Sequence, residues 1–146
     1  MNTESKSNTK SPRVAINLVG LLALFQLIRV LAYPIIQAVF AGENAEAWLF
    51  PAMMDVFVGL TALFVAIGIW RGKGLAVWTS AIVFFCLSIS DHLDAITVVL
   101  TSKGPHPAMM SGAPSAIATQ LGVMTLLEVL AIWALTTKSL RNHYLA

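Results

Sequence analysis

The chain has 146 residues, of which 58% are hydrophobic and only 11% are charged. A soluble domain of this length normally has about 25% charged residues, so the composition excludes an ordinary water-soluble fold. The formal net charge of +2 forms no basic stripe, which excludes a nucleic-acid-binding surface. The single cysteine, Cys86, excludes the membrane thiol oxidases, because disulfide exchange with a quinone needs a pair of thiols.

Four apolar stretches are each long enough to cross a bilayer as a helix, which takes about 20 residues. They are Val14–Ala41, Ala47–Trp70, Leu75–Leu100 and Pro114–Thr136. Because the connections are short, the sequence predicts an all-α integral membrane protein with a four-helix up-down-up-down bundle. We expect the transmembrane domain at residues 14–137, after a disordered tail at 1–13 and before a short tail at 138–146.

The basic residues predict an orientation for this bundle. Seven of the nine lie before the first stretch, between the second and third, or after the fourth: Lys6, Lys10, Arg13, Arg71, Lys73, Lys138 and Arg141. By the positive-inside rule, both termini of this multi-pass protein are expected on the cytoplasmic side of the cell membrane. Aromatic residues near the stretch ends are expected at the membrane interface: Trp48, Trp70, Trp78, Trp133 and Tyr144.

The first stretch carries a polar stripe. Gln26, Arg29, Tyr33 and Gln37 step by three, four and four residues, which keeps them on one face of an α-helix. Pro34 predicts a kink in the same helix, because proline removes a backbone hydrogen bond and crowds the preceding turn.

The other three stretches each contain acids. Asp55 in the second is followed on its own face by Gly59 and two alanines, which would let a neighbouring helix approach closely. The third has four polar residues near one face: Ser88, Asp91, His92 and Asp94. In the fourth, Gln120 and Glu128 align, and Glu128 lies near the middle of the helix.

These polar residues predict a shared interior site. A charge at mid-helix costs roughly 2.5–3.5 kcal/mol in a membrane, so such residues face a partner or a wet cavity. We expect an outer-leaflet polar pocket whose ligand-binding residues are Gln26, Arg29, Tyr33, Asp55, Asp91, His92, Asp94, Gln120 and Glu128.

Within this pocket, the candidates for catalysis are Asp91, His92, Asp94 and Glu128. Arg29 is expected to pair with Asp55 or Asp91. The spacing of His92 and its acidic neighbours is not that of a zinc site, so no metal is expected. The loop that contains His106 could cover the pocket.

A resemblance to a known family bears on the function. The run Pro51-Ala52-Met53-Met54-Asp55 is followed by Gly59-Leu60, Gly68, Arg71, Gly74 and Ala76. This pattern resembles the second and third helices of DoxX-like proteins, which are small four-helix membrane proteins. In the resemblance, Asp55 stands for the family's acid, Arg71 for its arginine and His92 for a histidine late in the third helix. Several members are associated with redox or quinone-linked complexes, so the resemblance implies an accessory redox role.

Three functions are consistent with these features. The first is an accessory subunit of a membrane redox system whose pocket binds a small lipophilic or quinone-like ligand. The second is an integral-membrane enzyme, an isomerase or hydrolase, that uses paired carboxylates as acid and base on a lipid-soluble substrate. The third is a proton-coupled exporter of a small cation. No cofactor beyond a quinone-like ligand is expected, and the partners would be the bilayer, a membrane redox protein or a second copy of the chain.

Overall fold

The structure, a computed structural model, describes residues 12–42, 46–102 and 112–146, and every regular element in these ranges is helical. It contains four helical spans that are long and apolar enough to cross a membrane, as predicted. We number them spans 1 to 4: Arg13–Phe40, Glu46–Arg71, Leu75–Thr101 and Pro114–Thr136. The predicted tail at 1–13 falls mostly on residues outside the described ranges.

Span 1 is broken in its middle. It consists of α1 (Arg13–Phe25), a 3-10 segment (Gln26–Ala32) and α2 (Tyr33–Phe40). Pro34 lies in the first turn of α2, where its missing N–H leaves no intrahelical hydrogen bond unmade. The departure from α-helix thus covers a whole segment before the proline, whereas the sequence predicted a kink at one point.

Gly59 in span 2 explains how this segment packs. A Cβ atom built on Gly59 would lie 2.7 Å from the backbone nitrogen of Val30 and 2.8 Å from its Cγ2 atom. No other residue type leaves room for so close a backbone approach. The contact holds the 3-10 segment against span 2, with the Arg29 side chain buried.

The remaining spans are regular, and the connection between spans 2 and 3 is a tight turn. After a 3-10 turn at Glu46–Trp48, span 2 continues as α3 (Leu49–Arg71). Span 3 is α4 (Leu75–Thr101) and span 4 is α5 (Pro114–Thr136). Gly74, with φ +97°, makes the turn into α4 in a backbone conformation that favours glycine.

Residues after span 4 form a sixth helix, α6 (Lys138–Leu145). The Tyr144 hydroxyl donates to the Ile69 carbonyl oxygen at 2.8 Å, and the Gly74 N–H donates to the Tyr144 carbonyl oxygen at 2.7 Å. Burial raises the pKa of the Tyr144 phenol to about 12. The segment expected as a short tail is therefore an ordered helix, packed against the connection between spans 2 and 3.

The interior contains two apolar cores. The large core holds fourteen buried residues, among them Ala23, Val58, Ala62, Phe85, Leu135 and Tyr144. The small core consists of Ala32, Ile35, Trp48, Ala52, Ala95 and Val99, with Ile117 and Leu121 of span 4 packed against it. Each span contributes to both cores, and the polar residues lie between them along the chain.

Candidate functional site

Seven polar side chains from all four spans form one hydrogen-bonded network, which we call the polar cluster. Its members are Gln26 and Arg29 of span 1, Asp55 of span 2, Ser88, Asp91 and His92 of span 3, and Glu128 of span 4. Six of the seven are buried, and Asp55 is the most exposed member, at 23% of its side chain.

The position of the cluster follows from how the helices pack. In span 1, Gln26 and Arg29 lie between Ala23 of the large core and Ala32 of the small core. Span 3 runs in the same order, from Phe85 through the polar residues to Ala95. Spans 2 and 4 pass from the small core to the large one. The four polar segments therefore meet in a layer between the two cores.

Arg29 joins three spans. Its Nε atom donates to Asp55 Oδ1 at 2.5 Å, and its Nη2 atom donates to Asp91 Oδ2. Its Nη1 atom donates to the Ser88 hydroxyl and, at 3.4 Å, to the amide oxygen of Gln26. Arg29 thus pairs with both of the acids that the sequence offered as alternatives. Such a planar, forked cation can hold two carboxylates in fixed positions.

The hydrogen bonds of the cluster converge on two side chains, its two centres. Arg29 is the first, and Glu128, which is fully buried, is the second. Its Oε1 atom accepts from Gln26 Nε2 at 2.9 Å and from the Ser88 hydroxyl at 2.5 Å. Its Oε2 atom lies 3.1 Å from His92 Nδ1. A carboxylate and an imidazole in direct contact are the groups that enzymes and transporters use to hold and pass protons.

The cluster has more negative than positive charge. With the three carboxyl groups counted as ionised and His92 as neutral, Asp55, Asp91 and Glu128 contribute three negative charges, against the one positive charge of Arg29. In addition, Asp91 Oδ1 is buried and has no hydrogen-bond partner. An unsatisfied buried carboxylate oxygen costs free energy, so the cluster is able to take up a proton, a cation or a hydrogen-bond donor.

Three residues predicted to bind ligand lie outside this network. Tyr33 is 51% exposed, Gln120 is exposed and Asp94 is half-buried. None of them makes a side-chain hydrogen bond or ion pair with the cluster in the described ranges.

The 3-10 segment accounts for the position of Tyr33. In an α-helix, Tyr33 would lie about 40° around the axis from Arg29, but at the 3-10 rotation it lies about 120° away. Gln120 is eight residues from Glu128, which displaces it by about 80° on a regular helix. Polar stripes drawn over a long stretch therefore extend beyond the polar cluster, and ligand binding by Tyr33 and Gln120 stays a prediction.

Ser88 is the member that the predicted site omitted. Its hydroxyl accepts from Arg29 and donates to Glu128, so it links the two centres of the cluster. The sequence did contain a signal for Ser88, because it precedes Asp91 by three residues and therefore lies on the same helix face. The loop proposed as a cover, with His106, lies outside the described residues.

An apolar groove of about 500 Å³ lies between spans 1 and 4. Its lining includes Leu18, Leu22, Leu127, Leu130 and Ala131. Leu22 precedes Gln26 by one helical turn, and Ala131 follows Glu128 by nearly one turn, so the groove leads along both helices towards the hydrogen bond between Gln26 and Glu128.

A second groove, of about 400 Å³, lies between spans 2 and 3. It is lined by Thr61, Phe64 and Gly68 of span 2 and by Ala76, Val77 and Ser80 of span 3. None of these residues belongs to the polar cluster. Of the two grooves, only the one between spans 1 and 4 combines an apolar lining with direct neighbours of Gln26 and Glu128.

No group of three or more His, Cys, Asp or Glu side chains is placed to hold a metal ion within residues 12–42, 46–102 and 112–146. No family model matches the sequence. The comparisons with curated proteins and with solved structures also found no match. The resemblance to DoxX-like proteins stays a prediction from the sequence.

Proposed function

We propose that the protein binds a small lipophilic, quinone-like molecule inside the membrane, as an accessory subunit of a membrane redox system. The observation that carries the proposal is the buried Glu128, which contacts His92 and lies beside an apolar groove. A lipophilic ligand with a polar ring needs both features, an apolar channel for its tail and proton-exchanging groups for its ring. The resemblance to DoxX-like proteins supports the redox role.

The same proposal includes a topology. Spans 1 and 3 pass from the large core to the small core and spans 2 and 4 return, which supports an up-down-up-down bundle. The basic residues lie at the chain ends and beside the connection between spans 2 and 3, which supports cytoplasmic termini. In this orientation the ring would bind towards the outer leaflet, and the tail would extend along the groove towards the cytoplasmic side.

Native mass spectrometry of protein extracted in a mild detergent tests the binding. We expect the wild-type protein to bind decylubiquinol, the reduced form of a short-tailed quinone, at one molecule per chain when it is added to the purified sample and kept reduced. Glu128→Gln keeps the size of the side chain but removes the charge and one acceptor, and a buried hydrogen bond from a ligand hydroxyl to a charged group is worth about 1.5–3 kcal/mol. The variant should therefore lose roughly tenfold or more in affinity.

Glu46→Gln is the matched control, because Glu46 is exposed and is not a member of the polar cluster. Its affinity should equal that of the wild type. Failure of the wild-type protein to retain decylubiquinol at a defined stoichiometry would remove the proposal. Equal loss in Glu46→Gln and Glu128→Gln would remove the assignment to Glu128.

The surplus negative charge of the cluster favours one other function, export of a small cation in exchange for protons. Such a protein would move cations across a sealed proteoliposome when a proton gradient is applied. Gradient-driven cation movement in the wild type, lost in Glu128→Gln, would favour the exporter over the redox subunit.

A further inference from the structure

We infer that the polar cluster selects ligands that carry a hydroxyl group, so that the reduced, quinol form binds more tightly than the oxidised, quinone form. This inference rests on the proposed function and adds the chemical class of the group that enters the site. It follows from the balance of donors and acceptors in the cluster, together with its charge.

Every donor nitrogen or hydroxyl of Arg29, Gln26 and Ser88 already makes at least one hydrogen bond within the cluster. Arg29 donates through all three of its nitrogen atoms, to Asp55, Asp91, Ser88 and Gln26. The Gln26 amide and the Ser88 hydroxyl both donate to Glu128. A ligand carbonyl, which can only accept, would have to use the second N–H of Arg29 Nη2 or of Gln26 Nε2, and each of these nitrogen atoms already donates to a carboxylate.

Among the seven side chains of the cluster, the buried polar atom that has no hydrogen-bond partner is an acceptor. Asp91 Oδ1 is buried and has no partner. When His92 Nδ1 donates to Glu128, the neutral ring presents Nε2 as a second acceptor. If Gln26 turned away from Glu128, one donor and one acceptor would be released together, and Asp91 Oδ1 would still lack a partner.

Charge leads to the same class of ligand. Three carboxylates face one guanidinium, so a ligand carboxylate or phosphate would add to an existing negative surplus. A carbonyl oxygen placed near Asp91 Oδ1 would bring two partial or full negative charges together. A hydroxyl group instead presents hydrogen to that oxygen and leaves no buried acceptor unsatisfied.

The test compares pairs of probes that differ in the donor alone. Binding of 4-octylphenol and of 4-octylanisole, its methyl ether, is measured by calorimetry on the full chain in nanodiscs, with empty nanodiscs subtracted. Decylubiquinol and decylubiquinone form the second pair. We expect the hydroxyl member of each pair to bind about tenfold more tightly or better, since a site left with an unpaired polar group discriminates strongly.

In Asp91→Asn we expect the preference for the hydroxyl member of each pair to weaken or reverse. With its amide oxygen kept towards Arg29, asparagine would place an NH2 group where Asp91 Oδ1 lies, so that a donor replaces the free acceptor. The variant should therefore bind the hydroxyl probes with a smaller advantage than the wild type, or should bind 4-octylanisole and decylubiquinone more tightly. Glu46→Gln, which lies outside the cluster, should keep the wild-type preference.

Each outcome decides between the two proposals. Binding of neither pair to the wild type would remove the proposed function and this inference with it. Equal binding within each pair, or tighter binding of the carbonyl and ether members, would overturn the inference and leave ligand binding intact. If Asp91→Asn does not fold, the wild-type comparison alone gives the answer.

Discussion

The polar cluster and the large apolar core are both buried, and they lie next to each other on the same spans, yet they depend on different physics. In span 2, Val58 and Ala62 fill space in the core, while Asp55, less than one turn before Val58, needs a charged partner. Burial alone therefore does not distinguish a packing residue from a site residue. A site residue is distinguished from a packing residue by the number of polar partners that its side chain requires.

This difference predicts how each region responds to substitution. In a bilayer the lipid is as apolar as the core, so the large core contributes mainly through close packing of small residues. Substitutions in the large core should lower the free energy of unfolding by graded amounts, because a smaller side chain removes only part of the contact. In the cluster, each removal leaves another buried group without its partner, so a single change should have a large effect.

Removing Arg29 should produce the largest loss of stability. Arg29→Leu leaves the buried Asp91 and the half-buried Asp55 without their counter-charge, which costs about 3–5 kcal/mol. Thermal unfolding of the purified protein in detergent would measure this, with Val58→Ala in the core as the comparison, at roughly 2 kcal/mol. Adding Asp55→Asn and Asp91→Asn to Arg29→Leu should restore most of the loss. No rescue would contradict the ion-pair account.

Filling the contact at Gly59 should have an intermediate effect. In Gly59→Ala, the new methyl group would meet the backbone of Val30, which cannot move as a flexible side chain can. Overpacking of this kind costs about 1–3 kcal/mol. Gly122→Ala in span 4 is the matched control, since a Cβ there meets nothing within 4 Å. Equal melting temperatures for the two variants would show that spans 1 and 2 are not in backbone contact.

The smallest expected effect concerns Tyr144, at the edge of the large core. Tyr144→Phe removes the hydrogen bond to Ile69 and should cost about 1 kcal/mol in a urea titration.

The same residue gives a pH dependence. Because the pKa of Tyr144 is raised from 10.0 to about 12 in the folded protein, folding favours its neutral form. This contribution to stability is complete below pH 10 and is lost as the pH rises towards 12. The wild type should lose more stability than Tyr144→Phe over that interval. Parallel curves would contradict the buried position of the hydroxyl.

Much of the fold could be predicted, because long apolar stretches and their spacing determine the number and the bounds of the spans. The side chains near the middle of each span could be assigned to the interior for a similar reason: Arg29, Asp91 and Glu128 each lie on a polar stripe. Whether they bind a ligand stays a prediction.

The remaining features depend on contacts between distant residues. The 3-10 segment from Gln26 to Ala32 is held by Gly59 of another span, which no local pattern reveals. Trp48 and Tyr144 were expected at the membrane interface, but both are buried, because a neighbouring core has room for them. The role of Ser88 requires the relative rotation of three helices, which a single sequence does not contain.

Photolabelling tests the central claim most directly, that the polar cluster and its adjoining groove form one ligand site. A 4-alkylphenol with a diazirine at the end of its tail would be activated on the protein in nanodiscs, and the adducts would be mapped by mass spectrometry. We predict adducts on spans 1 and 4, at Leu18, Leu22, Leu127 or Leu130, that excess 4-octylphenol prevents. Adducts in the groove between spans 2 and 3, at Phe64 or Val77, or labelling that excess ligand does not reduce, would contradict the account.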